Sequence, residues 1–396
     1  MNICFVSPCQ FLATTGGIDR VSVNLIHKFL ERGYSVVCCF FEPKNEPIND
    51  LGRQYLLPEK DIITSEGNVL ELQRIIAENN IDIIFNQSFK SDTMNLCYRA
   101  KRGSSAKIIT TIHFDPAWHI KGVKDGLKEP YYMRCTMQKR VLLTIYRSLK
   151  YPLTCHLRRR MLRDLYQSVD AFSDAVVLLS SNFTESYKNI SKLTELSKLY
   201  SITNPIPISS YSEKPDKIDQ ILYVGRMGFG AKRIDRLLEI WKIASKQLPT
   251  YRLKIVGEGD WLERYKEISI MMNIERVEFV GRQDSYPFYR ESKLLCLTST
   301  AEGFGMILAE AQSNYCVPFA FDTFESVHDI IEDGVNGVLV TPFSSKEYER
   351  KLRQLMDDEN LRERMMNNCL TKDYSQFDVK NVAKQWIELF DKLKFE

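Results

Sequence analysis

Two short segments carry residue types suited to phosphate and sugar chemistry. The first is Glu302-Gly303-Phe304-Gly305-Met306-Ile307-Leu308-Ala309-Glu310, which follows a strand ending at Thr298 and opens a helix expected over 304–314. A helix N-terminus offers free backbone N–H groups and the positive end of its dipole, which suit an anion such as a phosphate. Gly303 and Gly305 let a ligand approach the backbone closely. Glu302 can accept hydrogen bonds from sugar hydroxyls. Glu310, about two turns into the helix, can accept two from a vicinal diol such as that of ribose. The second segment is Gly225-Arg226-Met227-Gly228-Phe229-Gly230-Ala231-Lys232-Arg233, again between a strand and a helix. Arg226 supplies a planar fork for phosphate oxygens and Lys232 a point charge, enough to neutralise a diphosphate without a metal. The chain has no Asp-x-Asp triplet, the usual short carboxylate pair for a divalent cation at a nucleotide-sugar site. The bland alternatives are a glycine loop with two solvated glutamates and an ordinary basic loop.

Weaker signals accompany these. Gly16-Gly17 lacks the spacing of a dinucleotide fingerprint and suits a plain turn into a helix equally well. Gly257-Glu258-Gly259 reads as a turn or as a loop touching a nucleoside. His113, beside Asp115, ends a buried strand at its carboxyl edge; a satisfied structural histidine and a substrate contact are equally plausible readings there.

The elements that must position these residues alternate. Apolar strands are expected at 2–7, 36–41, 81–85, 107–112, 175–179 and 199–203, with helices between them; the first helix covers 19–32 and turns Val21, Leu25, Phe29 and Leu30 to one side. Continuous apolar runs mark strands buried on both faces, and their alternation with helices implies parallel sheets with right-handed crossovers. The pattern breaks at Asn204-Pro205-Ile206-Pro207, and 205–219 reads as a linker. It restarts with strands at 220–224, 252–256, 277–280, 293–298, 317–321 and 337–340, and a helical tail follows from 344. The fold class is α/β: two Rossmann-like parallel-sheet domains facing a central cleft, over 1–204 and 205–378, with a last helix at 379–396. Ligands of such sheets bind beyond the carboxyl ends of the strands.

Composition narrows the function. With 54 Lys and Arg against 51 Asp and Glu, the net charge of +3 argues against a dedicated nucleic-acid binder. No uncharged apolar run is long enough to span a bilayer. The N-terminal stretch reads as a strand, not a signal peptide, and the 10 cysteines follow no metal spacing, so reduced thiols and a cytoplasmic protein are expected. One segment stands apart. Residues 117–168 are too long for one crossover and concentrate Lys and Arg, interleaved with Tyr131, Tyr132, Leu142, Ile145, Tyr146, Leu149 and Tyr151. This helical insertion in the N-terminal domain reads as a surface for anionic membrane or as a solvated hairpin.

Taken in order, the Gly-Gly loop, the Asn-Pro linker, Val-Gly-Arg…Lys, Gly-x-Gly, Glu-Gly-Phe-Gly…Glu and Glu332-Asp333-Gly334-Val335-Asn336-Gly337 resemble the retaining family-4 glycosyltransferases of the two-Rossmann-domain (GT-B) type. The likeness runs along the whole chain and is densest over 220–341. It implies a nucleotide-sugar donor, UDP-hexose or UDP-N-acetylhexosamine, held mainly by the C-terminal domain, with no metal and no other cofactor. Arg226 and Lys232 would hold the diphosphate, Glu302 the sugar, Glu310 the ribose, and the amides of Gly303, Phe304, Gly305, Met306 and Ile307 sugar and phosphate. Gly16 and Gly17 would approach the diphosphate and His113 the sugar's far hydroxyls. Gly257 and Arg282 would lie at the nucleoside. The catalytic set is then Glu302, Arg226, Lys232 and His113. The resemblance further implies a saccharide acceptor, lipid-linked, at the inner face of the cell membrane, in polysaccharide, lipopolysaccharide or capsule assembly. The last helix would cross back onto the N-terminal domain. Two departures stand out: the Arg226–Lys232 spacing is one residue longer than in many members, and the basic insertion is not a core feature. A sugar-nucleotide epimerase on the same plan, and a non-catalytic nucleic-acid- or membrane-binding scaffold, remain as rivals.

Overall fold

In the computed structural model, which describes residues 1–12, 16–44, 50–88, 90–208 and 214–395, the apolar runs form two parallel sheets. Thr14-Thr15 and part of the expected linker lie outside the described residues. The first sheet has seven strands: β1 (Asn2–Cys9), β2 (Ser35–Glu42), β3 (Arg53–Leu56), β4 (Ile83–Asn86), β5 (Lys107–Ile112), β6 (Ala175–Leu178) and β7 (Leu199–Ser201), in the order β3-β2-β1-β4-β5-β6-β7. The second has six: β8 (Ile218–Val224), β9 (Arg252–Val256), β10 (Val277–Gly281), β11 (Ser292–Leu297), β12 (Val317–Phe321) and β13 (Val338–Val340), in the order β10-β9-β8-β11-β12-β13. Each order reverses once, between β1 and β4 and between β8 and β11. Loops leaving the carboxyl ends of strands at such a reversal part from one another and open a crevice.

Central strands carry Val, Ile, Phe and Cys on both faces because helices cover both. Ile3, Phe5, Ile84 and Phe85 are fully buried, as are Leu222, Tyr223, Leu295 and Phe319. The edge strand β3 escapes the hydrophobic pattern: Arg53-Gln54-Tyr55-Leu56 is recruited by backbone pairing with β2. All 10 cysteines are unpaired thiols, and burial pushes Cys296 and Cys316 up to about 12, so they act as small core hydrophobes.

The chain divides into two compact units. One comprises Met1–Pro116, Arg159–Pro207 and Ser375–Glu396; the other comprises Ala117–Arg158 and Ile208–Tyr374. Two details separate this from reading order along the chain. The terminal helix Val379–Phe395 packs on the first sheet's unit, with the Trp386 ring centre 4.5 Å from that of Phe85 at a tilt of 50°, and Phe390 5.4 Å from Phe29. The insertion was expected in the N-terminal domain because it joins β5 to β6. Its residues to Arg158 instead cluster with the second sheet. The physical reason is side-chain chemistry: Tyr132 bonds Glu239, Arg134 pairs with Glu267, and Lys121 donates to the Thr323 carbonyl at 3.0 Å and lies 3.2 Å from Glu325.

The insertion comprises helices Trp118–Gly126, Glu129–Tyr132 and Met137–Phe172, the last 36 residues long with Pro152 inside it. A proline there removes an N–H from the helical ladder and crowds the carbonyl of Ser148.

Trp386 is 2% exposed against an aromatic cluster. Trp386→Ala should lower the first unit's stability by ~3–5 kcal/mol, seen as an earlier transition in urea.

Candidate active site

Both chemistry-bearing segments leave the two strands that flank the reversal of the second sheet, β8 and β11. The loops touch. Thr300 N–H donates to the Ala231 carbonyl at 2.7 Å, and the Thr298 hydroxyl to the Arg233 carbonyl at 3.0 Å. Between them Lys232 Nζ bonds both carboxylate oxygens of Glu302, at 2.7 and 2.6 Å, and the Ser299 hydroxyl donates to the same carboxylate at 2.6 Å. The sequence assigned Lys232 to phosphate and Glu302 to sugar. The structure adds that each is the other's partner. Hydrogen-bonded on both sides, Glu302 is held at the mouth of its loop with its side chain 10% exposed.

A buried ion pair anchors this arrangement from beneath. Arg233 has φ 49°, in the left-handed region, and caps the helix Ile234–Ala244. Its guanidinium grips Asp235 at 2.9 and 2.6 Å with both side chains fully buried, and lies 4.8 Å from the Phe229 ring centre. Nothing in the motif's spacing revealed this pair; the signal was only an Arg-x-Asp directly after the basic loop.

Arg226 is different. It is 78% exposed, 4.0 Å from Asp260. The path of its loop is set by glycines elsewhere. Gly257 has φ +141°, and a Cβ on it would lie 2.0 Å from the Gly225 carbonyl oxygen; one on Gly259 would lie 2.5 Å from that of Met227. The Gly257-Glu258-Gly259 loop therefore packs backbone to backbone on the arginine loop, clamped by Met227 N–H to Glu258 carbonyl at 2.7 Å. Arg282 donates to Glu258 at 2.9 Å and so borders the same loop.

The helix after β11 starts at Met306, two residues later than expected, and is seven residues long. Gly305 precedes it with φ +85°. Phe304 turns inward, 3% exposed, while Gly303, Met306 and Ile307 are half-buried. Glu310 lies about one turn in, 1% exposed, and accepts from the Tyr289 hydroxyl at 3.1 Å.

In the first unit Gly16 and Gly17 begin the helix Gly17–Glu31. Gly16 is extended, with φ 171°, and a Cβ on either residue meets nothing within 4 Å. Among the described residues no packing contact requires glycine at this pair. His113 lies after β5 with Nε2 2.5 Å from the Gln87 side-chain oxygen. Burial pushes its pKa down to about 4, so it is neutral at pH 7. Nε2–H then donates to Gln87, and the buried Nδ1 is left as an acceptor with no partner among the described residues.

The profile of Glycosyltransferase Family 4 matches residues 15–206, and that of Glycosyl transferases group 1 matches residues 208–370. The chain belongs to the family-4-type glycosyltransferases. Solved structures of this GT-B glycosyltransferase fold superpose along nearly its whole length. The lipopolysaccharide outer core galactosyltransferase WaaB has a TM-score of 0.68 at 19% identity, covering 99% of this chain and 100% of that one. Anabaena Alr3699/HepE, solved in complex with UDP-glucose, has a TM-score of 0.72 at 16% identity over 99% and 100%. Among sequence relatives, the Campylobacter jejuni GalNAc-alpha-(1->4)-GalNAc-alpha-(1->3)-diNAcBac-PP-undecaprenol alpha-1,4-N-acetyl-D-galactosaminyltransferase is 24% identical over 60% of this chain and 66% of its own length. The Erwinia amylovora amylovoran biosynthesis glycosyltransferase AmsD is 31% identical over 44% and 49%. The chain thus spans between about half and two thirds of these relatives.

His113 has a measurable consequence for this glycosyltransferase. An unfolded histidine protonates near pH 6.5, the folded one only near pH 4. Between those values the unfolded chain binds the extra proton, so stability falls as pH falls, by ~3 kcal/mol across the window. His113→Gln should remove that part of the pH dependence in urea titrations at pH 4.5 and 7.

Proposed function

We propose that the chain moves a hexosyl or N-acetylhexosaminyl residue from a UDP-sugar to a saccharide acceptor, lipid-linked, with retention at the anomeric carbon, in assembly of a bacterial polysaccharide or lipopolysaccharide. The observation that carries this reading is the meeting of the β8 and β11 loops around Lys232 and Glu302 at the sheet reversal. Support for the donor comes from the Anabaena structure with UDP-glucose, and for a diphospholipid-linked acceptor from the name of the Campylobacter relative.

On this reading the sugar's C1–O bond to the diphosphate breaks through an oxocarbenium-like state. The acceptor hydroxyl attacks C1 from the same face, and its proton passes to the departing phosphate oxygen. Negative charge grows on the phosphate, and Arg226 and Lys232 stabilise it. Arrival of the diphosphate competes with Glu302 for Lys232 and frees the carboxylate for the sugar's hydroxyls. Glu310 takes the ribose. The amides of Gly303–Ile307 contact sugar and phosphate, and Gly257 and Arg282 lie toward the nucleoside. In the first unit, Gly16-Gly17 and the buried Nδ1 of His113, which has no partner among the described residues, are the remaining candidates for a phosphate and a sugar hydroxyl. No metal takes part. Isothermal titration tests the donor assignment. Glu310→Gln keeps an acceptor for Tyr289 but loses the charge, and should weaken UDP binding by ~1.5–3 kcal/mol. Lys232→Ala should depress turnover further than Lys242→Ala, and turnover should survive EDTA. Unchanged UDP affinity in Glu310→Gln removes that residue from the site, and loss of turnover in chelator, restored by magnesium, refutes the metal-free mechanism.

Among the described residues no helix is long and apolar enough to cross a membrane. Membrane contact is instead assigned to the long helix, on which Leu142, Ile145, Leu149 and Leu153 recur along one face and are 52–78% exposed. Cations Lys139, Arg140, Arg159 and Arg160 flank them. Such a face suits an anionic bilayer surface, apolar side chains entering and each cation adding ~1 kcal/mol. The protein should sediment with phosphatidylglycerol vesicles at low salt and release partly at ~1 M, where the Debye length is about 3 Å. Leu142→Ser with Leu149→Ser should abolish sedimentation.

A further inference from the structure

The second unit holds a cavity of about 370 Å³ that none of the assigned roles uses. One wall is Gly230-Ala231 and Thr300-Ala301, the residues that immediately precede Lys232 and Glu302. The opposite wall belongs to the insertion: Trp118, Tyr146 and Tyr151 supply rings, and Arg147, Lys150 and Arg158 supply charge. Among the described lining residues there is no Asp or Glu. Arg147 is held by Glu129 at 2.6 Å. Lys150 lies 4.4 Å from the centre of the Tyr146 ring, donates to its hydroxyl at 2.5 Å, and has no carboxylate partner among the described residues. Burial and the charge of Arg158 both disfavour protonation of His119 on the same wall, as a positive cavity requires. Gly122 and Gly126, one helical turn apart, face it without side chains.

We propose that this cavity is the acceptor site and that it selects an anionic glycan, one carrying carboxylate or phosphate groups. The proposal rests on the glycosyltransferase reading above. Three features argue for it. A glycan in the cavity lies beside the loops that hold the donor, where a receiving hydroxyl has to be. Aromatic rings offer flat apolar surface to the C–H faces of sugar rings, while a few placed polar groups give selectivity. The local cation excess would repel nothing in a neutral sugar and gain nothing from it, whereas an anionic one offsets it in a partly dehydrated space where charge interactions are strong. The cavity cations also differ from the exposed leucine face of the long helix, so glycan and bilayer are separable by mutation.

The test is calorimetric, on the full chain, with α-linked tetrasaccharides of differing charge: maltotetraose, maltotetraose 6-phosphate and tetragalacturonate. UDP is titrated in parallel. The expected result is that at least one anionic probe binds the wild-type protein about tenfold tighter than maltotetraose, the worth of one charge-assisted hydrogen bond. Lys150→Gln with Arg158→Gln should erase that preference and leave UDP affinity unchanged. Gly122→Phe, whose Cβ position is open and whose helix tolerates it, should block all three sugars and spare UDP. Equal affinity for charged and neutral sugars, or no sugar binding by a protein that binds UDP, overturns the proposal. So does binding of phosphatidylglycerol vesicles that needs Lys150 and Arg158 while no soluble anionic sugar binds, since the cations then serve a lipid headgroup. Failure of the protein to bind any nucleotide refutes the glycosyltransferase reading instead, and is told apart by the parallel titration.

Discussion

Everything at the candidate active site depends on one constraint of parallel sheets. Strands β8 and β11 are neighbours in space but separated in sequence, because the order of the sheet reverses between them. The chain leaving β8 must turn toward one edge and the chain leaving β11 toward the other, so their first residues lie side by side before they part. The contact of Thr300 with Ala231 and the Lys232–Glu302 pair are made in that interval. The neighbouring loop after β9 packs so closely on the arginine loop that only glycine fits at 257.

Charge is handled in three ways in the second unit. Arg233 and Asp235 are fully buried and paired through Nε and Nη2 at 2.9 and 2.6 Å, which makes them framework: losing either partner would strand a charge in a dry interior. Lys232 and Glu302 are partly exposed and paired, so an incoming anion or hydroxyl can exchange with either partner. Arg226 stands in solvent, where its charge costs nothing to keep and is ready for a ligand. A gradient from locked to exchangeable to exposed thus runs along residues 226–235.

The insertion extends this logic. Its helices meet the second unit through polar contacts of Lys121, Tyr132 and Arg134 and through the Tyr132 ring, 5.8 Å from that of Phe229. Leu142, Ile145, Leu149 and Leu153 are exposed on the long helix, while Trp118, Tyr146, Tyr151, Arg147, Lys150 and Arg158 line the cavity. One element presents two chemically distinct surfaces.

Much of this was written in local sequence. Continuous runs such as Val36–Phe41 specify buried strands whatever surrounds them, and their alternation with helices specifies two parallel sheets. The glycine loops and their charged residues were legible as candidates because each is a short run of distinctive residue types between a strand and a helix. Other features depend on partners distant in the chain. The edge strand β3 exists because β2 offers it hydrogen bonds, not because Arg53–Leu56 favours it. Glycine at 257 is explained only by the carbonyl of Gly225. The Lys232–Glu302 pair joins residues 70 positions apart. Residues 117–158 belong with the second sheet although both flanking strands belong to the first. Periodicity and motif spacing report forces that act within a turn or two of chain. Which loops meet, which charges pair and which unit an insertion joins are decided by contacts across the fold, and those become readable only once the strand order is known.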